Sequence, residues 1–119
     1  MELFKKNRYY IKLFLNRVEI KDLTNGKSIS EKSKVDFNND RILVAEFEKA
    51  ENFIKKVFTS NKLSTRNSVG IIQQMEMSEN GLSEVEKRIL IELFSRIGIN
   101  EIHIDQSLTN LSEKKLAEY

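Results

Sequence analysis

The sequence predicts one α/β domain with a mixed sheet, on three observations. The opening reads as short extended runs separated by turn signals such as Asn25-Gly26 and Asn38-Asn39-Asp40. Near Ala50 the apolar residues change to three- and four-residue spacing, the period of a helix buried on one face. Beyond it helical and extended runs alternate, as they do when helices cross over between parallel strands. A length of 119 residues suits one such domain, residues 1–119, with one core.

The first run, Arg8 to Asp22, interleaves Tyr9, Ile11, Leu13 and Leu15 with Tyr10, Lys12 and Phe14. That is too apolar for alternation and reads as a strand covered on both faces. From Val18 the alternation is strict, with Val18 and Ile20 against Glu19 and Lys21. Asn16-Arg17 marks either a bulge or a tight hairpin. Thr24-Asn25-Gly26-Lys27 is a hairpin signal, because Asn-Gly supplies the positive φ angles of a type I′ turn. Ser28 to Phe37, apolar only at Ile29, Val35 and Phe37, reads as an edge strand with a charged exterior. After Asn38-Asn39-Asp40, Ile42-Leu43-Val44-Ala45 reads as a short buried strand.

Ala50, Phe53, Ile54, Val57 and Phe58 then form one helical stripe, with Lys49, Glu51, Asn52, Lys55 and Lys56 facing away. Thr59 to Asn67 is a loop, and Val69-Gly70-Ile71-Ile72 opens a strand that can reach Met77. Ser83-Glu84-Val85-Glu86 is a capping box, since the Ser83 hydroxyl and the Glu86 carboxylate can satisfy each other's main-chain amides. Val85, Ile89, Leu90, Leu93, Phe94 and Ile97 continue as a stripe, and Gly98 fits the left-handed position after a helix. Phe53, Ile54 and Val57 are expected to pack with Leu90, Leu93 and Phe94. Ile99, Ile102 and Ile104 belong to a last strand, and Ser112 caps a short helix carrying Leu116. The order βββαβαβα, with right-handed crossovers, is that of a ribonuclease H-like three-layer fold on a mixed sheet of about five strands.

Composition narrows the chemistry. With 20 basic and 18 acidic residues interspersed, a net charge of +2 gives no basic face for nucleic acid, so none is expected as a partner. The absence of cysteine excludes disulfides, thiolate metal sites and cysteine nucleophiles. No run of about 18 apolar residues exists to span a membrane. Met1-Glu2-Leu3-Phe4-Lys5-Lys6 does not read as a secretory signal, and the cytoplasm is the expected compartment.

The stretch Gly81-Leu82-Ser83-Glu84-Val85-Glu86-Lys87-Arg88 resembles the Gly-(Ile or Ala)-Thr-Glu-Val-Glu-Lys-Arg segment of the bacterial rod-shape actin homologue MreB. Gly98-Ile99-Asn100-Glu101-Ile102-His103-Ile104 resembles the same family's Gly-Ala-Arg-Glu-Val strand entry. The opening hairpins match in spacing, down to a Leu-Val-Ala step at Leu43-Val44-Ala45. The similarity covers most of this chain but only about one subdomain of an actin-like protein. Its implication is a ribonuclease H-like subdomain. Actin-like ATPases carry Asp-(Leu or Ile)-Gly-Thr at the end of the first strand, where the Asp handles metal and water and the Gly admits phosphate. This chain aligns Lys12-Leu13-Phe14-Leu15 there. Lysine reverses the charge a magnesium site needs, and Phe14 fills the space of the phosphate loop. The family's Glu-Glu-Pro becomes Asp105-Gln106-Ser107, and the other phosphate hairpin and the adenosine pocket have no counterpart in this sequence. The resemblance thus implies a lost nucleotide site, with no cofactor, metal or catalytic residue expected.

Other chemistries fare no better. A two-metal nuclease on this fold needs carboxylates on the first strand, first helix and fourth strand. Glu51 and Glu76 could fill two places, but Lys12 stands at the first, which favours reading them as solvated surface carboxylates. His103, the sole histidine, follows Ile102 in a strand and reads as a half-exposed structural side chain rather than a base. Tyr9, Tyr10 and Phe14 cannot form one stacking platform, because adjacent strand residues face opposite ways. Leu3-Phe4-Lys5-Lys6 is short for a membrane anchor and supports weak attachment through residues 1–6 at most. What remains is the polar edge strand and a face that a sister half would cover in an actin-like protein. The expectation is a non-enzymatic interaction module, binding a protein partner: itself as a homodimer, or an actin-like protein of rod-shape or pilus-type machinery. A divergent metal-dependent nuclease and a peripheral membrane adaptor are the alternatives.

Overall fold

In the computed structural model, which describes residues 6–39 and 41–119, a five-stranded mixed sheet carries two long helices on one face. A short helix and its lead-in segment cover part of the other face. The layers and element order are those expected from the sequence, with changes in the strands.

Strands β1 (Asn7–Phe14) and β2 (Arg17–Asp22) form an antiparallel hairpin closed at Leu15 and Asn16, so the Asn16-Arg17 step is a turn and not a bulge. Asn16 sits at φ 51°, a left-handed region that its short polar side chain tolerates. From there it donates to the Asp36 carboxylate at 2.7 Å and accepts the Phe37 amide at 2.9 Å. Strand β3 (Ser28–Lys32) follows a loop in which Gly26, at φ 77°, is left-handed and Asn25 is not. The type I′ turn expected there is replaced because Asp22 and Asn25 fold the loop on themselves. Asp22 accepts the Thr24 amide at 2.9 Å, and Asn25 accepts the Lys27 amide at 2.8 Å.

β3 stops short of Phe37, and Ile42–Ala45 is not a strand. The amides of Ala45 and Glu46 both donate to the Phe37 carbonyl at 2.8 Å, closing a loop that drops Phe37, Leu43 and Val44 into the core. An apolar run buried without a ladder looks like a strand in sequence, which explains the misreading.

The remaining elements are α1 (Phe47–Ser60), β4 (Ser68–Gln74), α2 (Glu84–Ile97), β5 (Glu101–Ile104) and α3 (Glu113–Ala117). The strand order is β3-β2-β1-β4-β5, with β1–β4 and β4–β5 parallel. β4 ends at Gln74 rather than Met77, whose φ of 60° breaks the extended backbone. Register places Tyr9, Ile11 and Leu13 beside Val18 and Ile20 on the helical face. There Ile54 and Val57 of α1 meet Leu90, Leu93 and Phe94 of α2, with Phe53 against the same cluster, as the two stripes foretold. Val85 is the exception: it is 63% exposed, in the first turn of α2 before the helix settles on the sheet.

On the opposite face Tyr10, Ile71 and Leu116 form a second, smaller core with Leu23, Leu111 and Tyr119. Polar bonds hold the lead-in to α3 there. Gln73 donates to the carbonyls of Ser107 and Thr109 at 3.0 and 2.9 Å, and Tyr10 accepts the Leu111 amide at 3.0 Å while donating to Gln73. Arg8 reaches the Leu116 carbonyl at 2.8 Å, adding a second donor to an acceptor that the Tyr119 amide also meets at 3.3 Å.

Candidate functional site

Most of the residues singled out from the sequence fall at three places: the β1–β2 turn, the face under α3, and the open edge at β3. At the turn, Lys12 pairs with Glu19 at 3.2 Å and donates to Asn110 at 2.8 Å. The Arg17 guanidinium lies 3.8 Å from the centre of the Phe14 ring. The Leu15 amide donates to the Glu76 carboxylate at 3.2 Å. An anion approaching this turn would find the amide taken and a carboxylate already in place.

Glu51 and Glu76 do not share a site. Glu76 serves the turn, whereas Glu51 lies on α1 among the helices, across the sheet from Lys12. Glu51 is also not the solvated surface carboxylate expected: it is 5% exposed, between Lys55 at 3.0 Å and Arg96 at 3.2 Å. The hydrogen bond from Lys55, opposed by burial and aided by Arg96, holds its carboxyl below the usual glutamate range. Among the described residues no three metal-ligating side chains gather.

His103 lies half-buried on β5 with Nε2 2.6 Å from the Glu101 carboxylate and its ring 5.2 Å from Tyr119. Asp105, expected to stand where the resembled family has glutamate, is buried and accepts from the Ser107 amide at 2.9 Å and from the Tyr119 hydroxyl. Burial alone would raise its carboxyl, but the bonds from Ser107 and Tyr119 prevail and lower it. Tyr9 and Tyr10 occupy opposite faces and are both buried; burial, with Asp22 nearby, pushes the Tyr9 hydroxyl up to about 12. Tyr9 and Tyr10 therefore share no platform. The Leu3-Phe4-Lys5 part of the proposed membrane contact lies outside the described residues, and Lys6 pairs with Glu101 at 3.6 Å. No helix among the described residues is long and apolar enough to cross a membrane.

The β3 edge was read from the sequence, but the two grooves beside it were not. A groove of about 390 Å³ opens on one side of β3, lined by Lys12, Glu19, Lys21, Ser28, Ser30 and Leu111 among others. A second, of about 430 Å³, lies between the end of β3 and α1, with Val35 and Phe53 inside and Lys34, Lys49 and Lys56 around them. The helical signal was present, since Lys49, Asn52 and Lys56 share one face of α1. Its position beside β3 is a property of the tertiary fold.

No family model matches the chain. Solved structures share its fold: MreB5 of Spiroplasma citri bound to ADP superposes with a TM-score of 0.64 at 14% identity, over 87% of this chain and 39% of that one. The same protein bound to AMPPNP gives 0.58 at 16% identity, over 83% of this chain and 38% of that one. The chain therefore spans well under half of these structures and matches one ribonuclease H-like, actin-like subdomain. In sequence, the uncharacterised protein YjaA of Escherichia coli K12 is 33% identical over 92 residues, covering 71% of each chain. With that identity over that share of both proteins, the chain belongs to the YjaA family.

Proposed function

We propose that this protein is a non-enzymatic interaction module, descended from an MreB-type subdomain whose nucleotide site has been lost. The observation that carries the reading is the open β3 edge, flanked by a groove on each face of the sheet. The Asp22 amide donates to the Lys27 carbonyl and the Ser33 amide to the Asn16 carbonyl, each at 2.8 Å. By the antiparallel alternation, residues 27, 29, 31 and 33 pair inward, so Ser28, Ser30 and Lys32 turn their main-chain groups outward. Among the described residues those groups meet no other strand, and an unpaired edge is a template for another chain. The β1–β2 turn supports loss of the nucleotide site. The neighbours in fold are described with ADP and AMPPNP, whereas here Glu76 occupies the Leu15 amide and Phe14 and Arg17 stack at the turn.

A photo-crosslinking amino acid at Ser30, introduced into the protein in its own cell, tests the reading. A discrete adduct is expected from Ser30 and none from the exposed α2 position Glu92. Adducts from Glu92 alone, or from neither position, contradict it.

A further inference from the structure

We propose that the β3 edge receives an extended segment of another protein, acidic in charge with an apolar residue at its centre. The inference rests on the interaction-module reading and specifies the chemistry of its partner.

The argument begins with strand geometry. A segment added beside β3 would pair with the outward groups of Ser28, Ser30 and Lys32, and its side chains would alternate between the two faces. On one face they meet the groove beneath Ser28, Ser30 and Glu19; on the other they meet the groove between β3 and α1. The latter is the selective one. Val35 is 51% exposed within it, and Phe53 stacks on Phe37 with ring centres 5.9 Å apart while still lining the cavity. An apolar side chain from the added strand would cover both.

The rim sets the charge. Lys34 and Lys56 have no carboxylate within ion-pair range among the described residues, and Lys49 reaches Glu46 only at 4.0 Å. Glu31, the carboxylate lining this groove, is engaged by the Asn61 amide at 2.5 Å. The field over the apolar floor is therefore positive, and acidic residues flanking an apolar one complement it.

A second copy of this chain fits less well. Antiparallel pairing of β3 with its own twin about a two-fold axis would set one lysine rim against the other, and like charges opposed across an interface disfavour that contact. Simple protection of an exposed edge also accounts for lysines, but protection does not call for a cavity with Val35 and Phe53 inside.

The experiment selects binders to the whole protein from an unbiased library of ten-residue peptides and maps them by amide chemical shifts. The expected binders carry two or more acidic residues around an apolar one and perturb residues 28–35 and 49–57. Replacing three of the four lysines that line the groove (Lys34→Glu, Lys49→Glu, Lys56→Glu) should weaken them at least tenfold. Ser30→Pro should abolish binding while the fold is kept, because the amide it removes faces outward and not toward β2. Basic or neutral binders, binders indifferent to charge reversal, or a concentration-dependent dimer that charge reversal strengthens would each overturn the acidic-segment proposal. Ser30 adducts in the cell together with binders of the wrong charge would sink this inference alone. No adduct from Ser30 and no binder would sink the module reading with it.

Discussion

Asn16 is the residue on which the turn and the following loop both depend. It holds a left-handed backbone and uses both ends of its amide, donating to Asp36 and accepting from Phe37. Asn16→Ala should cost about 1–3 kcal/mol, through a strained φ and the lost bond to the Phe37 amide. Asn16→Gly should recover part of that by relieving the strain while leaving the amide unbonded. Urea midpoints of the two variants check the ordering. Acid sensitivity also belongs to single residues. The carboxyls of Glu51 and Asp105 titrate below their ordinary values in the folded chain. Each therefore contributes stability that is present above its unfolded pKa and lost as pH falls through the folded one. Stability should be flat above about pH 5 with respect to these two groups and decline below it. Asp105→Asn should make the acid side of that profile shallower, as urea midpoints across pH would show.

At the scale of elements, α2 was the most legible part of the sequence. The box reading of Ser83 and Glu86 is realised, with the Ser83 amide donating to Glu86 at 2.9 Å and the Glu86 amide to Ser83 at 3.1 Å. Gly98 closes the helix at φ 119°, with the space a side chain would need taken by Thr65. Ser83→Ala should cost about 1 kcal/mol through an unsatisfied amide. Leu93→Ala, at a fully buried position of the same helix, should cost about 2–5 kcal/mol, through lost transfer energy and a residual cavity. Chemical denaturation of both variants measures the difference. Helix signals were readable because caps and period are local. Ile42–Ala45 was misread because its burial comes from a loop closed on the Phe37 carbonyl, a contact with no local signature. Glu51 was misplaced for a related reason: its partner Arg96 lies on another helix, and only Lys55 is within a turn. The groove beside β3 shows the same limit, because α1 supplies Lys49, Phe53 and Lys56 and the β3 side supplies Lys34 and Val35.

For the molecule as a whole, the chain shares the fold of an actin-like subdomain, and the turn at its first hairpin is closed by its own side chains. Lysine at position 12 is spent on Glu19 and Asn110, so even its charge is not free for a phosphate. An exposed ion pair is worth only about 1 kcal/mol, far below the roughly 8 kcal/mol that a micromolar ligand requires. The proposal is that the position of the nucleotide site in the resembled fold is shut here and that the sheet edge carries an interaction. Calorimetric titration of the intact protein with AMPPNP and magnesium tests its first half most directly. No saturable heat is expected at millimolar nucleotide, and a micromolar site would show the turn to be open after all.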